Sequence, residues 1–271
     1  MIDKNSPLDL LVETILKSSK YCDISEDLVR RIGTHELSKY RSTRQAIKST
    51  KSKLHQVAGA YFETKVDYVK SINELEQAAD TNNKETFRDV CQKVMSQHAS
   101  TKERVKILDE FYTTTLSEIQ PINTVLDIAC GLNPLTIPWM PLSRNAKYYA
   151  YDIYTDMIKF LQEFMGIAGI AGKAEVRDVI QFPPTQRADL ALILKAIPCL
   201  EQLNKTAGYR LLDTINADHL LVSFPVHSLS GRNKGMITNY ENRFRRLIQD
   251  RPWHIQRFEF ATELVFLVTK G

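Results

Sequence analysis

Thr124-Val125-Leu126-Asp127-Ile128-Ala129-Cys130-Gly131-Leu132-Asn133-Pro134 reads as a buried β-strand whose carboxyl end opens onto a glycine turn. Gly131 has no Cβ, so it can take a positive φ and let a ligand approach the backbone, while Asp127 offers a carboxylate that can fix the turn. In an α/β sheet, that strand end is where a nucleotide-like cofactor sits. A dinucleotide loop requires Gly-x-Gly-x-x-Gly. Leu132, Asn133 and Pro134 follow Gly131 here, which argues against a pyrophosphate cradle.

Strands alternate with helices on the carboxyl side of this stretch. Strands are expected at 125–129, 148–153, 174–179, 190–194 and 220–224, with helices near 156–165, 208–215 and 237–248. Such alternation makes a parallel sheet covered on both faces. Ile255–Phe260 and Leu264–Val268 are separated by only Ala261-Thr262-Glu263, too short for a crossover helix, so they should form a hairpin at the sheet edge. Before Pro121 the pattern is helical. Ser6-Pro7 starts a helix with Leu8, Leu11, Val12, Ile15 and Leu16 on one face. Further helices follow through Leu28, Val29, Ile32 and Leu37, then through the basic run to Leu54, and through 66–79 and 87–95. Ser100-Thr101-Lys102-Glu103 has the form of a capping box, predicting one helix from Ser100 toward Ile119. The expected organisation is a helical domain over residues 1–105 and an α/β domain over 106–271.

Composition is that of an ordinary folded protein, with 43% hydrophobic and 25% charged residues in 271. Cys22, Cys91, Cys130 and Cys199 form no Cys-x-x-Cys pair, so neither zinc nor a disulfide framework is indicated and a reducing cytoplasm is expected. No stretch has the length and apolarity of a membrane span or a secretion signal. The net charge of +4 alone says little. Its distribution says more: between Lys17 and His55 ten cations face four carboxylates, and between His227 and Arg257 seven face two. Each run is either a solvated helix face or a surface for a polyanion, and the presence of two favours the polyanion.

Several residues have both a chemical and a plain reading. Asp152, about twenty residues past the glycine turn, can hold ribose hydroxyls or cap a helix. Asp178 can read an adenine edge or close a turn. Lys195, after Leu190-Ala191-Leu192-Ile193-Leu194, reaches the carboxyl edge of the sheet or is merely solvated. No Asn-Pro-Pro-Tyr tetrad is present for activating an exocyclic amine. Pro198-Cys199 resembles the nucleophile pair of carbon-5 cytosine methyltransferases, or Cys199 only packs. Guanine N(7) needs neither device, because its in-plane lone pair is already free.

The strand end Asp127-x-x-x-Gly131 resembles motif I of S-adenosylmethionine (SAM) methyltransferases, and the element pattern matches their class I, Rossmann-like fold of seven strands with a terminal antiparallel hairpin. Five segments carry a closer resemblance: Leu54–Tyr61, His98–Arg104, Asp127–Pro134, Leu194–Glu201, and Ser223-Phe224-Pro225 with Ser228–Met236. Together they are similar to the aminoglycoside-resistance 16S rRNA guanine-N(7) methyltransferases. Ala261-Thr262 departs from the Gly-Asn of that family.

The resemblance implies a SAM site formed by Tyr61, His98, Ala99, Ser100, Arg104, Ala129, Gly131, Asp152, Asp178, Val179, Leu194 and Leu203. Arg104 would pair with the cofactor carboxylate, and Leu203 stands where a glutamine is expected. It also implies RNA contacts at Lys20, Arg30, Arg31, Lys51, Lys53, Lys195, Arg232, Lys234 and Met236. The implied partner is 16S rRNA within the assembled 30S subunit, met by a monomer without metal or membrane. Two alternatives stand: a carbon-5 cytosine transferase using Cys199, and a catalytically silent rRNA-binding assembly factor.

Overall fold

The computed structural model describes residues 6–59, 66–227 and 235–270. Its N-terminal helices begin as their sequence dictates. Ser6 Oγ accepts the Asp9 N–H at the head of α1 (Pro7–Leu16). α2 (Glu26–Lys39) and α3 (Thr43–Leu54) fold against α1, and Leu11, Ile15, Leu28, Val29, Ile32 and Leu54 close a core of their own. The chain runs on as a short π-helical stretch, His55–Gly59.

α4 (Tyr68–Asp80) and α5 (Lys84–Met95) belong elsewhere in the packing. Leu75, Cys91, Val94 and Met95 are buried in the same cluster as the sheet residues Val125, Tyr148, Leu190 and Leu192. The single helix expected from Ser100 to Ile119 is instead two, α6 (Ala99–Val105) and α7 (Leu108–Thr115). Between them Ile107 leaves helical geometry at φ −120° and ψ 7° and enters the core. The capping box does not form either. His98 occupies the cap position, Ser100 lies inside the helix, and the Glu103 side chain reaches Lys195. A buried cation offers that carboxylate more than a solvated N–H would.

The sheet holds seven strands: β1 (Ile122–Ile128), β2 (Leu142–Asp152), β3 (Ala171–Val176), β4 (Ala188–Leu194), β5 (Ala217–Pro225), β6 (His254–Glu259) and β7 (Glu263–Thr269). Their order is β3-β2-β1-β4-β5-β7-β6, parallel except for β7, which runs antiparallel to both β5 and β6. This is the class I arrangement, with the expected hairpin placed so that β7 lies between its partner and β5. The central strand β4 is apolar and buried but for Asp189, as a strand covered on both faces must be. Alternate residues face opposite layers. Val125, Leu190 and Leu192 meet α4, α5, α7 and α8 (Thr155–Ile167). Leu126, Ala191 and Ile193 meet the other layer of α9 (Ile197–Leu203), α10 (Ala207–Thr214) and α11 (Met236–Ile248).

Chain order reverses between β1 and β4, and at such a switch point the strand ends diverge to leave a crevice. The N-terminal bundle covers that crevice. Ile24 bridges Tyr154, Ser25 N–H donates to the Ile153 carbonyl at 2.7 Å, and Thr155 N–H donates to the Asp23 carbonyl at 2.7 Å.

Candidate active site

The turn after β1 is built from positive φ values. Ala129 (φ 51°) and Gly131 (φ 52°) both lie in the left-handed region, and Lys195, one residue beyond β4, joins them at φ 57°. Non-glycine residues rarely adopt this conformation, and when they do it tends to mark a functional site. Gly131 has a second constraint: a Cβ there would lie 2.9 Å from His98 Cε1.

Asp152 secures the turn from the neighbouring strand. Its Oδ2 accepts the Gly131 N–H at 2.8 Å and its Oδ1 accepts the Ile153 N–H at 2.6 Å. Burial raises its carboxyl above the usual range, opposed by these backbone donors. Asp127 lies beneath the turn and faces the protein interior. It accepts the Tyr148 hydroxyl at 2.6 Å and Asn133 Nδ2 at 2.9 Å, and burial pushes its pKa up to about 6. Asn133 Oδ1 in turn accepts from Arg104 Nη1 at 2.7 Å and from the Tyr112 hydroxyl at 2.9 Å. The Leu-Asn-Pro sequence that departs from a dinucleotide loop is therefore an anchor, tying the turn to α6 and α7.

Arg104 is fully enclosed. Beyond Asn133, its guanidinium reaches both oxygens of Glu263, with Nε at 2.9 Å from Oε1 and Nη2 at 3.0 Å from Oε2. Arg104 is not among the residues that line the cavity described below. Lys195 is likewise not a solvated lysine, being 7% exposed. Its ammonium lies 2.6 Å from Glu103 Oε2, 3.0 Å from the Ser100 carbonyl and 3.3 Å from Glu263 Oε1. Ser223 Oγ donates to Glu263 Oε2 at 2.7 Å. Although burial alone would raise the Glu263 carboxyl, Arg104 and Lys195 hold it below its ordinary range. Burial, together with these two cations, pushes the His98 imidazole down to about 3, so it is neutral at physiological pH.

These elements line a cavity of about 800 Å³, counted out to its open mouth. Nine residues named from the sequence line it: His98, Ser100, Ala129, Gly131, Asp152, Asp178, Val179, Leu194 and Leu203. Lys195 lines it too, while Ala99 does not. Tyr61, Arg232 and Lys234 lie outside the described residues, and Met236 is the half-buried first residue of α11. Asp178 sits two residues past β3 rather than at its end. Its Oδ2 accepts from Arg31 Nε at 2.6 Å and its Oδ1 from the Ile180 N–H at 3.1 Å.

Sequence reasoning did not name Leu28, Val57, Ile153, Tyr154, Arg177, Ile180, Ala196 or Leu200 as part of this wall. Ile153, Tyr154, Arg177 and Ile180 could have been found as neighbours of Asp152 and Asp178. Leu28 and Val57 carry no signal separating them from ordinary bundle core. Cys199 also lines the cavity, and its thiol donates to the Lys195 carbonyl at 3.5 Å.

The basic N-terminal surface divides on inspection. Arg30 pairs with Asp9 at 2.8 Å and Glu26 at 2.7 Å, Arg31 with Asp178, and Lys53 lies 3.4 Å from Glu36. Lys20 is exposed, Lys51 half-buried, and Arg41, Arg44 and Lys48 are exposed with no ion pair among the described residues. No cluster of metal-ligating side chains occurs among the described residues, and none of their helices is long and apolar enough to cross a membrane.

Known proteins share this architecture along nearly the whole chain. A 16S rRNA (guanine(1405)-N(7))-methyltransferase of Micromonospora echinospora is 34% identical over 97% of both chains. One from Serratia marcescens is 34% identical over 95% of this chain and 96% of its own. The crystal structure of the 16S rRNA methyltransferase RmtF in complex with S-adenosyl-L-homocysteine superposes with a TM-score of 0.82 at 27% identity, covering 98% of this chain and 99% of RmtF. The 16S rRNA methylase RmtB follows at 0.78 and 29%, covering 97% of this chain and 98% of its own. Residues 17–267 match the family described as ribosomal RNA methyltransferase (FmrO), and the chain belongs to that family.

Proposed function

We propose that this chain transfers a methyl group from SAM to N(7) of guanine 1405 of 16S rRNA, the position printed in its relatives' names, within the assembled 30S subunit. The supporting observation is the cavity at the switch point, where Gly131, Asp152 and Asp178 meet in a chain of the rRNA methyltransferase family. The donor set fits the cofactor. Asp152 keeps acceptor capacity for ribose hydroxyls, and Val179, Ile180, Leu200 and Leu203 give apolar walls to a flat base. The bare Cα of Gly131 leaves the close approach that a side chain would fill. Ala129 and Leu194 complete the wall beside it.

When bound, SAM supplies a methyl group carried on a positively charged sulfur. Guanine N(7) attacks with a lone pair that is already available, so no residue has to remove a proton first. The protein's part is to orient the two reactants and exclude water. Neutral His98 adds no further positive charge beside the methyl donor, and Lys195 enters with its charge balanced by Glu103 and Glu263. Arg104 and Asn133 hold the shape of the turn. Cys199 lines the cavity and so offers a second reading, attack on cytosine carbon 5.

In this reading the bundle of α1, α2 and α3 forms the subunit-binding part, and the sheet with the helices packed on it, α4 to α6 included, the transferase, acting as a monomer in the cytoplasm. The exposed cations of α3 meet phosphate, joined by Lys20 and Lys51 and by Arg232, Lys234 and Met236 near the target. A methyl group at N(7) adds bulk and positive charge where a cationic aminoglycoside docks, which makes the host resistant without altering the drug.

Methyl-labelled SAM incubated with 30S subunits and the full chain should label the RNA, and expression should raise aminoglycoside tolerance of a susceptible host. Cys199→Ser should leave turnover unchanged, and its abolition would favour the cytosine reading. Subunit binding without any SAM binding would reduce the chain to an assembly factor.

A further inference from the structure

α2 is docked along the cavity wall. Leu28 lines the cavity, and one turn later Arg31 reaches the loop after β3 to donate from Nε to Asp178 Oδ2 at 2.6 Å. The Asp178 side chain is only 3% exposed, and its other oxygen accepts the Ile180 N–H. Asp178 lines the cavity, and each carboxylate oxygen can accept two hydrogen bonds, so both keep an acceptor direction free. The start of the same helix is anchored at Ser25 to the Ile153 carbonyl, and Ile153 also lines the cavity. One helix of the N-terminal bundle is thus tied to two walls of the site.

The surroundings of Arg31 argue against a phosphate contact. Its Nε is occupied, and Asp9, Glu26 and Asp27 lie along the same surface, where a polyanion would meet carboxylates. The opposite direction, into the cavity wall, is where its charge has an effect. A buried carboxylate that loses its partner is free to turn toward water, and its acceptor directions then leave the cavity.

From this geometry we infer that Arg31 is a positioning residue for cofactor recognition: it holds the Asp178 carboxylate oriented so that a free acceptor direction reads the exocyclic amine of an adenine base. The inference rests on reading the cavity as the SAM site. It makes base recognition depend on a helix of the N-terminal bundle, and by reciprocity an occupied cavity tightens the docking of α2 by the same factor.

Calorimetry on the full chain with two ligands tests this. S-adenosylhomocysteine carries the amine, and S-inosylhomocysteine has a carbonyl oxygen in its place. The wild type should prefer the adenosyl ligand by about tenfold or more, the effect of one hydrogen bond to a charged group. Arg31→Ala and Arg31→Gln should bring that ratio down at least about fivefold, mainly by weakening the adenosyl ligand, and Arg31→Lys should recover part of it. A structural defect would instead weaken both ligands equally, and that result in folded variants overturns the proposal. An unchanged ratio in both neutral variants overturns it as well. A wild type that binds neither ligand overturns the cofactor reading itself, which separates the two failures.

Discussion

Arg104 and Lys195 at the carboxyl edge of the sheet are 1% and 7% exposed, whereas Arg44 and Lys48 on α3, and Arg41 just before it, face solvent. The same residue types behave as different chemical objects in the two places. The sheet-edge cations are surrounded by Glu103, Glu263, Asn133 and Ser223, and their charge is part of the scaffold. Arg41, Arg44 and Lys48 have no ion pair among the described residues, which leaves them available to a polyanion. Between these extremes, Arg30, Arg31 and Lys53 occupy the N-terminal surface but are already paired. A basic run therefore overstates the phosphate-facing charge by those cations that the fold neutralises.

Glu263→Gln should separate the two regions most sharply. It leaves two enclosed cations short of a counter-charge, a loss of about 3–5 kcal/mol in urea unfolding at unchanged m-value. A loss below about 1 kcal/mol would mean the network is wet and the contrast false.

The next effect concerns Asp127, whose pKa rises from 3.8 to about 6 through burial. Between those values the folded state holds a proton that the unfolded state has released, so this group makes stability fall as pH rises from about 4 to 6. The change amounts to on the order of 3 kcal/mol. His98 runs the other way, from 6.5 unfolded to about 3 folded, and masks the trend in the wild type. Comparison with Asp127→Asn isolates it: the variant should gain stability relative to wild type between pH 4 and pH 7. A flat difference curve would show that Asp127 is solvated.

Asp152→Ala removes the acceptor of the Gly131 and Ile153 N–H groups and should weaken S-adenosylhomocysteine binding by about 30-fold or more, with 30S binding preserved. Equal loss of both affinities would contradict separate roles for the two regions.

The smallest effect belongs to the surface. Arg44→Ala with Lys48→Ala should weaken 30S binding by about tenfold near 0.1 M salt and lower the salt slope by about two. Arg30→Ala should change it little, since its charge is already matched.

Much of this was legible in the chain. The Asp127–Pro134 stretch located the switch point, and the short connection at Ala261-Thr262-Glu263 predicted the hairpin. Asp152 and Asp178 could be named because strand ends carry sites in this fold, and Val179 and Leu194 through the family resemblance; all four line the cavity. The ion pairs of Arg104 and Lys195 were not legible, because Glu263 lies 159 residues from Arg104 and only the insertion of β7 beside β5 brings them together. The capping box failed for the same reason: Lys195, 92 residues away, draws Glu103 from its local role. Leu28 looked like bundle core because it is bundle core, and nothing local marks the side that faces a cavity.

Mapping the modified nucleotide tests the central claim most directly. After 30S subunits are incubated with the full chain and methyl-labelled SAM, the label should reside at N(7) of guanine 1405 of 16S rRNA, the site printed in the relatives' names. Label on a cytosine, on another atom or position, or on no nucleotide at all would contradict the account.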